Sequence, residues 1–177
     1  MVPSLEELPI RTTKLEEKKR TICPAGKRDF EYNTIETSST PAHQVVKGEV
    51  SFNISNPALL SLQSTSGCIA QSYKFPNYFY DSDVYHCVDP DSDSKTKTAF
   101  TFDSASGLLS INQSWTCPDT TETMSFIASG AVNLTLTTTP TVYSNPNWHV
   151  GETFHNSSKY STAVDGPIMA FQVDRVA

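Results

Sequence analysis

From residue 30 onward the chain alternates apolar and polar positions in short runs, the two-residue period of half-buried β-strands. The pattern predicts strands over residues 30–35 and 45–54, with Val50, Phe52 and Ile54 on one face. Asn56-Pro57 stops the second strand, and residues 58–63 read as a short strand or a single turn. Residues 84–88 and 98–102 are further strands. Residues 103–107 supply turn chemistry, and residues 108–117 run back with Leu109, Ile111, Gln113, Trp115 and Cys117 on one face. This is the clearest hairpin in the chain. Strands are also expected over 124–127 and 131–139, then irregular chain until a last strand over 168–173. No stretch of a dozen residues carries helical periodicity with caps. The expected fold is all-β: a single antiparallel β-barrel or β-sandwich.

The first twenty residues break this pattern. They carry nine charges and few large apolar side chains, so they cannot bury a core of their own. They lack the apolar stretch of a signal peptide and end in Lys18-Lys19-Arg20. Residues 1–20 are therefore read as a pro-segment cut after Lys19-Arg20 by a Kex2-type protease, or else as a flexible arm that stays attached. Residues 21–177 form the single domain. Lys27-Arg28 is a second basic pair, lying beyond Cys23.

Composition narrows the class. The 177 residues carry a formal net charge of -6, and 43 of them are Ser or Thr. An acidic balance argues against general nucleic-acid binding, which needs Lys and Arg to displace counterions from phosphates. No apolar run approaches the roughly 18 residues of a helical membrane span. Four cysteines without a C-x-x-C pair signal neither a zinc site nor a redox dithiol. They permit three pairings, of which Cys68–Cys87, closing a local loop, and Cys23–Cys117 are expected. The bland alternative is four buried thiols in a cytosolic protein. Sequons at Asn53, Asn112, Asn133 and Asn156 weigh against it and favour a secreted glycoprotein.

No catalytic, metal or cofactor residues are assigned. Asp89, Asp91 and Asp93 begin like a calcium loop, but Ser94 stands where glycine is needed and Phe100 where glutamate is needed. His43, His86, His149 and His155 have no metal spacing. Glu36, Glu49, Glu122 and Glu152 are scattered, and nothing selects two of them as a glycosidase pair. The aromatic tract Tyr73, Phe75, Tyr78, Phe79, Tyr80 and Tyr85 reads either as core and sheet cover or as a binding surface. Tyr78, Tyr80, Asp81 and Asp83 are its candidate partner-binding residues.

The order Cys68, Tyr85-His86-Cys87, Phe100-Thr101-Phe102-Asp103-Ser104-Ala105-Ser106-Gly107-Leu108-Leu109 and Ile111-Asn112-Gln113 resembles the Alternaria major-allergen family. The resemblance implies a β-barrel, secretion by filamentous fungi, and a Cys68–Cys87 bridge before the acidic loop. It brings no catalytic residues, and the family's dimer-linking cysteine has no clear match here. The function it implies is a secreted effector, acting in the host apoplast on a plant protein, receptor or other apoplastic ligand to modulate immunity. The alternative reading is a small secreted hydrolase or carbohydrate-binding protein of the fungal wall or apoplast.

Overall fold

A computed structural model describes residues 25–56, 65–89, 96–118, 123–168 and 170–176. Among them there are eleven strands: β1 Ala25–Thr40, β2 His43–Ser55, β3 Thr65–Ser72, β4 Tyr85–His86, β5 Lys97–Asp103, β6 Leu108–Pro118, β7 Thr123–Asn133, β8 Leu136–Ser144, β9 His155–Ala163, β10 Gly166–Ile168 and β11 Ala170–Val176. All pairings are antiparallel and form two sheets. Sheet one runs β3-β2-β1-β9-β8, with β10 also on β1; sheet two runs β11-β7-β6-β5-β4. The all-β expectation holds, but the described strands form no closed barrel. Residues 1–20, expected as a pro-segment ending in Lys19-Arg20, Cys23, the element expected at 58–63 and the acidic tract at 90–95 lie outside the described residues, as does the Cys117 side chain.

The alternating positions build the core where the sheets face each other. Phe30, Val50, Phe52 and Ile54 of sheet one and Phe100, Phe102, Leu109 and Ile111 of sheet two are buried in one cluster. Aromatic pairs cross the gap: Phe30–Phe102 at 5.4 Å, Tyr32–Phe102 at 5.3 Å and Phe52–Phe100 at 4.9 Å between ring centroids. Their edge-on geometry suits the ring quadrupole and adds about 0.5–1.5 kcal/mol per pair beyond burial.

The β5–β6 hairpin follows the sequence pattern, with Phe100 opposite Ile111 and Phe102 opposite Leu109. Asp103 ties its turn, accepting hydrogen bonds from the Ala105 amide (2.9 Å) and the Ser106 hydroxyl (2.8 Å). Gly107 closes it at φ 75°, and the Leu134 carbonyl oxygen would lie 2.7 Å from any Cβ there.

Two elements differ from expectation. The strand read over 131–139 is two: β7 continues along β6 to Asn133, and the chain then crosses to sheet one as β8. Pairing with β6 runs unbroken through Gly130, opposite Ile111, to Asn133, opposite Leu108. The segment read as irregular contains β9, a central strand of sheet one between β1 and β8. Its composition is polar because most of its side chains stay in contact with water, Ser161 being the buried exception.

The buried polar side chains around Asp89, Gln113 and Lys27 are paired, as burial requires. Asp89 is no free acidic turn residue: its carboxylate accepts from the hydroxyls of Ser66 (2.6 Å) and Thr98 (2.9 Å) and from the Thr98 amide (3.3 Å). Gln113 links this network to Asn56. Lys27 is buried at 2% exposure, its ammonium donating to the Val164 carbonyl at 2.9 Å. Desolvation holds its pKa below the ordinary lysine range, with Asp165 opposing the shift.

Candidate functional site

One corner of the molecule joins the two sheets covalently. β3 is an edge of sheet one, β4 an edge of sheet two, and the Cys68–Cys87 disulfide ties β3 to the residue after β4. Gly67 and Val88 exchange backbone hydrogen bonds of 3.0 and 2.7 Å beside it. The Cys87 amide adds a bond to the Thr98 carbonyl at 2.9 Å. A two-residue strand such as β4 has too few ladder bonds to hold an edge alone, so these ties fix its position.

The chain between the cysteines is folded onto this corner by named contacts. Phe79 is fully buried against Tyr32, Tyr85 and Phe102, which anchors the segment in the core. Ser104 grips the Phe79 carbonyl through its amide at 3.2 Å and its hydroxyl at 3.3 Å. Tyr78 lies over Gly48 and donates its hydroxyl to Glu36 at 3.0 Å. Burial, first, and that carboxylate push its pKa well above the ordinary tyrosine value. The Lys74 ammonium meets the Asp83 carboxylate at 2.6 Å and lies 5.6 Å from the centre of the Tyr80 ring. This hydrogen bond with Asp83 raises the Lys74 pKa. The Phe75-Pro76 peptide is cis.

Held this way, the segment turns apolar side chains to water. Ile69, Tyr73, Phe75, Val84 and Val88 are 65%, 64%, 56%, 61% and 79% exposed. Tyr73 and Phe75 flank Lys74 in sequence and Val84 follows Asp83, so the ion pair ties together the two stretches of chain that carry these side chains. Singly scattered exposed hydrophobics are ordinary, whereas contiguous apolar patches belong to interaction surfaces.

Of the residues singled out in sequence, Asp81 is exposed, Tyr80 and Asp83 are half-buried, and Tyr78 is buried. Asn112 and Asn133 are exposed, and Asn112 Oδ1 accepts from the Ser129 hydroxyl at 2.6 Å. Asn53 is half-buried and donates to Asp29 at 3.3 Å. Asn156 lies within β9, its Oδ1 buried without a partner. Glu36 and Glu49 point to opposite faces of sheet one, which separates them as a catalytic pair. Glu152 accepts from the Asn145 amide group and the His149 backbone amide in the β8–β9 loop. Glu122 lies outside the described residues.

Residues 27–146 match the family described as Alternaria alternata allergen 1. The chain belongs to this family. No curated protein and no solved structure matches it. The family span takes in the β5–β6 hairpin and the whole disulfide corner, the two features whose residues carry the likeness in sequence. It ends within the β8–β9 loop, so β9, β10 and β11 lie beyond it.

Proposed function

We propose that this member of the Alternaria alternata allergen 1 family is a secreted effector that binds a plant host component in the apoplast. The observation that carries the reading is the disulfide corner: exposed Tyr73, Phe75 and Val84 on a segment cross-linked at both ends. A surface fixed before binding loses little conformational freedom on contact, so its apolar area converts more fully into affinity. Aromatic anchors of this kind dominate the binding energy of protein interfaces. The disulfide and the four sequons also support an oxidising route out of the cell.

The test is infiltration of the folded protein into a panel of plant genotypes, with cell death scored. At least one genotype should respond. The double variant Tyr73→Ser and Phe75→Ser, with an unchanged melting midpoint, should lose the response. A panel with no response, or an undiminished response to the folded variant, would refute the reading.

A further inference from the structure

A second surface lies on the outer face of sheet one, away from the core. Alternation places Asn33, Ile35, Lys47, Glu49, Thr139, Thr141, Ser158 and Tyr160 on this face. They line a groove of about 430 Å³, within the range of small-ligand sites.

Strand register orders the groove into two rows. Glu49 stands opposite Asn33, Asn33 opposite Tyr160, and Tyr160 opposite Thr139. In the second row Lys47 stands opposite Ile35, Ile35 opposite Ser158, and Ser158 opposite Thr141. Neighbouring strands are about 4.8 Å apart, so three steps carry each row about 14 Å across the sheet. That is the length of a short oligosaccharide.

We propose that this groove binds a neutral glycan laid across β2, β1, β9 and β8, with Tyr160 as its stacking platform. The lining chemistry matches a sugar. Thr139, Thr141 and Ser158 offer hydroxyls that both donate and accept, Asn33 offers an amide, and Glu49 a carboxylate acceptor. The Tyr160 ring is 45% exposed, and its hydroxyl donates to Glu31 at 2.9 Å. That bond fixes the ring, so stacking against the C–H face of a pyranose freezes little further motion. Glu49 is likewise held, by Lys47 at 3.0 Å and Gln71 at 2.8 Å.

Charge selects the neutral class. Lys47 and Glu49, the charged lining residues that alternation places on this face, pair with each other at 3.0 Å, and Glu31 beside them is engaged by Tyr160, so the groove presents no unpaired charge to select an anion or a cation. Two sources offer such a ligand, the fungal wall and the plant wall, and the probes must distinguish them.

Isothermal titration of the full chain separates the possibilities. The probes are hexamers of β-1,3-linked glucose and β-1,4-linked N-acetylglucosamine for the fungal wall, β-1,4-linked glucose for the plant wall, and oligogalacturonate as an anionic comparison. At least one neutral hexamer should bind, and its identity assigns the source. Tyr160→Ala should weaken binding about tenfold or more, whereas Tyr160→Phe, which keeps the ring, should stay within about threefold of the parent. Thr141→Arg, on the exposed edge strand β8, should block the groove without touching the core. Phe75→Ser, at the disulfide corner, should leave sugar binding unchanged. Failure of all neutral hexamers at millimolar concentration, tighter binding of oligogalacturonate, or sugar binding that survives both Tyr160→Ala and Thr141→Arg would overturn the proposal. A dimer that Thr141→Arg dissolves, with no sugar bound, would overturn it in favour of a face between two copies of the chain.

Discussion

Gly48→Ala tests the packing that seats the disulfide corner on sheet one. Gly48 lies on the inner side of β2, opposite Thr34 of β1 and Ser72 of β3. A Cβ there would meet Tyr78 Cβ at 2.6 Å, Cγ at 2.8 Å and Cδ1 at 2.9 Å. Rotating the tyrosine cannot relieve the first contact, because Cβ does not move with χ1. The backbone carrying Tyr78 must retreat, and its 3.0 Å bond to Glu36 goes with it. Overpacking of this kind costs about 1–3 kcal/mol. Loss of a hydrogen bond to a charged group adds about 1.5–3 kcal/mol when complete. The lower chain entropy of unfolded alanine returns about 0.4–1 kcal/mol. The expected net destabilisation is about 3 kcal/mol, or a melting midpoint lowered by about 6–12 °C for a chain of this size. Urea unfolding of Gly48→Ala, Tyr78→Gly and the double variant gives the coupling. Tyr78→Gly removes all three clashing atoms, so the two substitutions should be non-additive by at least about 1 kcal/mol. A Gly48→Ala protein within about 0.5 kcal/mol of the parent would refute the reasoning.

Two further predictions concern the corner and the buried lysine. Cys68 and Cys87 are 19 residues apart, a loop whose cross-link stabilises by about 3 kcal/mol through the unfolded chain; the Cys68→Ser, Cys87→Ser protein should lose about that much in urea unfolding, and a loss under about 1 kcal/mol would contradict it. Lys27 has a lowered folded-state pKa, so between that value and the ordinary lysine pKa of about 10.4 the unfolded chain binds more protons, and stability rises with pH. The stability of the parent relative to Lys27→Met should therefore increase as pH climbs through that window. A difference that stays flat from neutral pH to about 10.5 would show that burial does not disfavour the charged lysine.

Legibility followed the contrast between the two sides of each strand. β5 and β6 were plain because Phe100, Phe102, Leu109 and Ile111 face the core while their neighbours are polar. β9 was hidden for the opposite reason: in residues 155–163 the inward Ser161 and the outward Ser158 are the same kind of residue, so no alternation betrays a central strand. The break between β7 and β8 was also invisible, since Val132, Leu134 and Leu136 keep a two-residue period straight through the crossover between sheets. The Cys68–Cys87 bridge was legible from loop closure and family likeness together. Which aromatic side chains would meet water was not. In an irregular loop no period relates neighbours, so Tyr78 is buried on Gly48 while Tyr73 and Phe75 are exposed, and only the tertiary contacts separate them.

The two proposed surfaces draw on different parts of the chain, and this makes them separable. The disulfide corner, from Gly67 to Val88, lies wholly inside the span that matches the Alternaria alternata allergen 1 family. The groove does not: Asn33, Lys47, Glu49 and Thr139 come from that span, whereas Ser158, Lys159 and Tyr160 come from β9, beyond it. Because β9 pairs with β1 along nine residues and with β8 on its other side, a strand outside the family span joins the parts of the face that the span supplies. Tyr160 and Phe75 stand on opposite sides of this division. Substituting each in turn, and reading sugar binding and plant response on both variants, separates a property carried by the family span from one that β9 adds to this chain.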